Sequence, residues 1–172
     1  MKVILLRMKD QNFSIIRFLY FTFLTFFGSG LTPKAPGTFG SLATLPLICL
    51  FSYLNLSFTN VAIITFIIFI FACLIADYAQ KKEKVMDPGW IVIDEVIGML
   101  ITWLFIFPST SWINLFLIFG VFRFFDIIKI FPANWCDHNI KNGAGTIIDD
   151  VVSAIYAGIV VFLVNYFIPL NQ

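Results

Sequence analysis

Long apolar runs separated by short polar segments make up most of this chain. Apolar residues dominate positions 13–27, 39–56, 59–76, 91–107, 112–125 and 147–168. An α-helix rises 1.5 Å per residue, so about 20 residues cross the roughly 30 Å of hydrocarbon in a bilayer. On that scale the last five runs are predicted to be membrane spans. The turn after 39–56 makes it a helical hairpin with 59–76, and Pro108-Ser-Thr-Ser does the same for 91–107 and 112–125; Pro46 is expected to kink the first helix. The run 13–27 carries Arg17 and would be only about 22 Å long, which is short for a span. Glycine and proline density between Gly28 and Gly40 predicts a loop, residues 77–90 read as a charged loop, and 126–145 as a polar segment. The expected architecture is all-α: a polytopic membrane bundle of about five spans plus a short N-terminal interfacial or re-entrant helix. It forms one domain over 13–172, preceded by a cytoplasmic segment over 1–12.

Composition supports a lipid environment, since 60% of the 172 residues are apolar, 12% are charged and mean hydropathy is +0.95. A net charge of +1 with no basic patch excludes nucleic acid as a partner. The three cysteines form neither a CxxC pair nor a disulfide framework. Lys2, Arg7, Lys9 and Arg17 precede apolar sequence as in a signal peptide, but small residues spaced for cleavage are missing, so the segment is expected to be retained.

The placement of charge orients the chain. Lys34, Lys81, Lys82, Lys84, Arg123, Lys129 and Lys141 all fall on one side of the predicted spans, whereas the turns near Asn55, Ser109 and Asn171 carry no charge. Basic loops stay in the cytoplasm, so that side is the cytoplasmic face, and 13–27 then lies in the interface or re-enters. Trp90, Trp112 and Trp135 fall near predicted boundaries, where amphipathic rings prefer to sit.

Acidic residues follow the same geography. Asp94 and Glu95 open one predicted helix, Asp149 and Asp150 open another, Asp126 closes a third and Asp77 a fourth. Carboxylates at the edge of hydrocarbon are costly unless something neutralises them. Acids in a first turn complement the helix dipole, but two adjacent pairs followed directly by apolar sequence point further, to Mg²⁺, which takes hard oxygen ligands and shares substrate phosphate. The 28–41 loop offers the opposite chemistry, with Lys34 as a cation, glycines that let N–H groups approach an anion, and Thr38 and Ser41 near the next helix start. No Gly-Lys-Ser/Thr ending makes it a Walker A loop. Arg123 and Lys129 flank Asp126 at helical spacing, to pair with it or to meet a substrate phosphate. The Asn142-Gly-Ala-Gly145 turn is expected to set the entry of the last helix, with Thr146 as its cap, or to let backbone approach a ligand. His138 has no second histidine and reads as solvated surface; Cys136 lacks the arginine that a cysteine phosphatase loop needs.

Three blocks in this order resemble the phosphatidylglycerophosphatase A family: GSGLTPKAPGTFGSLATLPL over 28–47, IDEVIGM over 93–99, and FRFFDIIKIFPA over 122–133 continuing to NGAGTIIDDVVSAI over 142–155. The resemblance implies a magnesium-dependent phosphomonoesterase of the bacterial inner membrane. Such an enzyme removes the terminal phosphate of phosphatidylglycerophosphate, a phospholipid substrate in the cytoplasmic leaflet. Carried over by motif, the implied site comprises Lys34, Gly37 and Thr38; Asp94 and Glu95; Arg123, Asp126 and Lys129; and Asp149 and Asp150. The expected mechanism has Mg²⁺ on Asp94, Glu95, Asp149 and Asp150 and a water attacking phosphorus, with an aspartyl-phosphate route open beside it. Lys34, Arg123 and the glycine-loop N–H groups would balance charge on the phosphoryl oxygens. Two alternatives are a phosphatase for another lipid phosphate and a small cation or proton transporter. The second fits poorly with spans whose centres are apolar.

Overall fold

The computed structural model describes residues 15–86 and 88–168. The predicted segment 1–12, Phe13 and Asp87 lie outside the described residues. Those residues form seven α-helices and one 3₁₀ turn, with no strand among them.

Helix α1, Ile15–Leu24, is followed by the 3₁₀ turn Ser29–Leu31 and by α2, Pro36–Tyr53. The glycine-proline loop is therefore shorter than its composition predicts. Ala35 takes the left-handed conformation (φ 49°, ψ 54°), and Pro36 stands at the first helical position, where its fixed φ suits the helix and its missing N–H costs nothing. Gly37, Thr38 and Ser41 thus belong to the opening turns of α2, which continues through Pro46. Helix α3, Phe58–Glu83, is capped by Ser57, whose hydroxyl accepts from the Asn60 N–H. It extends well past the predicted boundary, so Asp77 lies inside the helix instead of closing it.

Helix α4, Ile93–Leu104, starts at the predicted acidic pair, and α5, Trp112–Ile128, carries Asp126 in its last turn. A short helix that the polar sequence concealed, α6 over Ala133–Asn139, leads to α7, Gly143–Phe167. The cap of α7 is Asn142, whose side chain accepts from the Gly145 N–H at 3.0 Å, and not Thr146. Asp149 and Asp150 consequently sit in the second turn of α7.

Helices α4 and α7 form the centre. Helix α7 packs against α3, α4, α5 and α6, while α2, α3 and α5 also touch α4. Small residues let these helices approach closely, as helix pairs in lipid commonly do. The ring of Phe122 fills the space over Gly98 and that of Phe105 the space over Gly158. Thr102 Oγ1 donates to the Gly98 carbonyl at 2.9 Å and reaches Ala154 O at 3.4 Å, tying α4 to α7. The buried core comprises Ile97, Leu100, Trp103, Ile118, Phe122 and Ile147 with their neighbours.

Two described helices, α3 and α7, are each long and apolar enough to cross a membrane. Helix α4 has 12 residues and spans only about 18 Å. The surface supports membrane association all the same. Ile63, Phe66, Ile67, Ile70, Phe71 and Leu74 stand exposed along α3, and Ile155, Ile159, Phe162 and Leu163 along α7. Apolar faces of this extent on a monomer mark contact with lipid or another apolar partner.

Candidate active site

Packing at the start of α4 places its acidic pair. The Val92 N–H donates to Leu24 O at 2.9 Å, which pins the entry of α4 to the end of α1, and Gly40 of α2 packs against the Val92 side chain. Ile91, Val92 and Ile93 are buried, so Asp94 and Glu95 are drawn inward with them. Asp94 Oδ1 accepts the Glu95 N–H at 3.1 Å.

The start of α7 is fixed as firmly. Gly143 meets the backbone of Ala76 and Asp77 so closely that a Cβ would collide, and Gln80 Nε2 donates to Thr146 Oγ1 at 2.9 Å. Successive helical residues point about 100° apart, so the neighbouring aspartates of α7 face different partners. Asp150 turns toward α4, where ligand oxygens of Asp94, Glu95 and Asp150 all lie within 4.8 Å of one another. Asp149 turns toward the end of α5, and its Oδ2 accepts from Lys129 Nζ at 2.6 Å.

Asp126, near enough to Asp150 for their charges to repel, closes the group from α5. One helical turn earlier Arg123 binds Asp126 and approaches Glu95 Oε1 at 3.6 Å. Gly37 completes the wall from α2, because a side chain there would strike Glu95 Oε1 and press on Arg123 Nη1, 3.1 Å away. Four helices thus contribute: α2 through Gly37, α4 through Asp94 and Glu95, α5 through Arg123 and Asp126, and α7 through Asp150.

The charge in this group is unbalanced. Asp94 and Asp150 are 8% and 4% exposed, and Arg123 is the cation in contact with the acidic group among the described residues. Glu95 Oε2 and Arg123 Nε are buried with no hydrogen-bond partner. Like charges held this close and this dry need a counter-charge. A hard divalent cation with oxygen ligands fits the donor set, and an anion beside it fits the open donor of Arg123.

The remaining sequence candidates fall into two groups. Lys129 is held between Asp149 and Asp137, the latter at 2.9 Å, in place of pairing with Asp126. Burial lowers the affinity of its amine for a proton, but the two carboxylates outweigh this and raise its pKa above the ordinary value. Ser41 is buried and its hydroxyl donates to Gly37 O at 3.0 Å. Lys34 is exposed and makes no ion pair with a described residue, and Thr38 is half-buried in the first turn of α2. Sequence reading missed Asp137 and Gln80. Asp137 lies on the concealed helix α6, and Gln80 in what was predicted to be a loop. His138 is exposed as expected, with its ring 3.4 Å from Asp137 Oδ2.

A family model described as phosphatidylglycerophosphatase A matches residues 22–165, which contain every residue of the group. The chain is 44% identical over 141 residues to phosphatidylglycerophosphatase A of Haemophilus influenzae, covering 81% of this chain and 85% of the relative. It is 36% identical over 146 residues to phosphatidylglycerophosphatase A of Escherichia coli K12, covering 84% and 83%. A Bacteroides thetaiotaomicron protein with the provisional name phosphatidylinositol-3-phosphatase is 33% identical over 151 residues, covering 84% and 92%. No solved structure matches the chain. By the family match and by both named relatives, this chain belongs to the phosphatidylglycerophosphatase A family.

Proposed function

We propose that this protein hydrolyses the terminal phosphomonoester of phosphatidylglycerophosphate to phosphatidylglycerol and phosphate, in a Mg²⁺-dependent reaction at the cytoplasmic face of a bacterial inner membrane. The observation that carries this reading is the convergence of Asp94, Glu95 and Asp150 beside Arg123, in a member of this family. Asp94, Glu95 and Asp150 are the residues that would hold the metal. Bound Mg²⁺ would neutralise the carboxylates and polarise the phosphoryl group.

The protein's own groups do the positioning. Arg123, fixed by Glu95 and Asp126, directs its guanidinium at phosphoryl oxygens and stabilises the charge that spreads over them. Gly37 keeps the opening turn of α2 against Glu95, so that Thr38 and the helix N-terminus complete an anion-binding wall, with Lys34 above it in solvent. Lys129 joins Asp149 to Asp137 and so holds α5, α6 and α7 in register beneath the site.

The membrane arrangement proposed is multi-pass. Residues 35–76, 96–122 and 151–168 contain no Asp, Glu, Lys or Arg, so the charged residues described gather where α2, α4 and α7 begin and α3 and α5 end. A site at that edge lets acyl chains remain in the leaflet while the phosphate enters from the side. The shortness of α4 favours a bundle in which its neighbours, together with the turns after Leu104, complete the crossing.

A second substrate reading, a different lipid phosphate, is favoured by the name of the Bacteroides relative. Phosphate release by the purified protein in detergent separates the two, with phosphatidylglycerophosphate, phosphatidic acid and phosphatidylinositol 3-phosphate compared at equal mole fraction. The highest kcat/KM is expected for phosphatidylglycerophosphate; preference for another lipid would move the assignment to that head group.

A further inference from the structure

A second polar cleft lies outside the carboxylate site. It has a volume of about 570 Å³ and runs between the charged end of α3 and the start of α7, lined by Leu74, Asp77, Lys81, Lys84 and Lys141 with their neighbours. Neither the three clustered carboxylates nor Arg123 lines it. Its shape is set by a contact already described, since Gly143 seats α7 directly on the backbone of α3 at Asp77.

Leu74, Asp77 and Lys81 are spaced three and four residues apart and therefore share one face of α3, and Lys84, the left-handed residue that caps the helix (φ 53°), lines the same cleft just beyond it. The face changes character along its length. Leu74, exposed and apolar, lies toward the uncharged stretch; Asp77 and Lys81 pair with each other at 2.6 Å; Lys84 stands at the end. Lys141, just before α7, lines the same cleft. Once Asp77 has taken Lys81, Lys84 and Lys141 have no acidic partner among the described residues. Val85 and Met86 add exposed apolar surface at the rim. Two cations above an apolar wall, at the end of a helix long enough to cross a bilayer, match the head group and upper acyl chain of a phospholipid with net negative charge. A free phosphate would use the cations and leave the apolar wall bare.

We propose that this cleft binds an anionic phospholipid of the surrounding leaflet at a site separate from the catalytic one. Lys84 and Lys141 take the head-group phosphate, Leu74 lies along the chain below it, and Met86 covers the rim. The proposal rests on the membrane placement given above, but not on the identity of the substrate.

The test uses the full-length protein and phosphatidylserine, an anionic lipid with neither a phosphomonoester nor the head group of the proposed product. Retention of phosphatidylserine against phosphatidylcholine is measured by native mass spectrometry for wild type, for Lys84→Glu with Lys141→Glu, and for Lys84→Arg with Lys141→Arg. Insertion of each protein into neutral phosphatidylcholine vesicles is measured in parallel. Wild type and the arginine variant are expected to favour phosphatidylserine by about tenfold, and the glutamate variant to show no preference. A glutamate variant that inserts normally and keeps the preference overturns the site. Displacement of phosphatidylserine by inorganic phosphate alone overturns the lipid as occupant. Failure of wild type to insert into neutral vesicles removes the membrane placement itself and the proposal with it.

Discussion

At one end of this bundle α2, α4 and α7 begin and α3 and α5 finish, and the charged residues described gather there. At the other end the α2–α3 and α4–α5 turns contain no charge at all, and their polar groups serve each other. Asn114, fully buried, donates through Nδ2 to Ser109 Oγ at 2.7 Å, and Trp103 Nε1 donates to Ser109 O at 2.9 Å. Buried polar groups in a native structure are normally matched in this way. The charged end holds more buried acid than base, and Glu95 Oε2 and Arg123 Nε remain without partners. An amide oxygen, Asn165 Oδ1, is also buried without a partner toward the uncharged end, so the contrast is one of charge: what the charged end leaves open belongs to a carboxylate and a guanidinium. The neutral end closes the bundle, and the charged end keeps a surplus that a cation and a phosphate would complete.

Substitutions at the two ends should therefore fail in different ways. The largest effect is expected for Asp150→Asn, which should lower kcat by about 10³-fold or more while leaving thermal unfolding unchanged or slightly later, because a crowded buried charge is removed. Loss of folding with activity per folded molecule intact would erase the distinction between the ends. Lys129→Met should act mainly on stability, by about 3 kcal/mol in denaturant unfolding, since Asp149 is left buried without its ammonium partner. A rise in KM with unchanged stability would instead place Lys129 on the substrate. Gly37→Ala forces a methyl group into Glu95 Oε1 and should cost up to about 10²-fold in kcat/KM with little change in stability. Asn114→Ala, at the neutral end, should destabilise by about 1–3 kcal/mol and leave kcat unaltered; altered kcat would show that the neutral end reaches the chemistry.

Much of this contrast is legible in the sequence. The uncharged stretches can be read directly, and so can Asp94 and Glu95, because an acidic pair that opens an apolar helix has one geometric outcome once Ile91 to Ile93 are buried. Asp149 and Asp150 are harder. Side by side in sequence they look equivalent, and only the rotation of α7 against α4 and α5 assigns one to the carboxylate group and the other to Lys129. Local turn chemistry misled the boundaries. Pro36 reads as a breaker until its place at the first position of α2 is known, and Gly143 reads as loop until its packing on Asp77 is seen. Helix α6 has seven residues of mixed polarity, too few to show a period, so Asp137 was hidden with it. Apolar length alone sets the end of α4 too late, because the apolar sequence continues beyond Leu104 where the helix does not.

The central claim is that the carboxylates of Asp94, Glu95 and Asp150 form a metal-dependent phosphatase site. Its most direct test is phosphate release from phosphatidylglycerophosphate as a function of Mg²⁺ concentration, with calorimetric Mg²⁺ titration on the same samples, for wild type, Asp94→Asn and Asp150→Asn. The account predicts activity that appears only with the metal in wild type, and loss of both metal binding and phosphate release in two variants that remain folded. Full wild-type turnover in the presence of chelator, or hydrolysis by either folded variant at the wild-type rate, would contradict it.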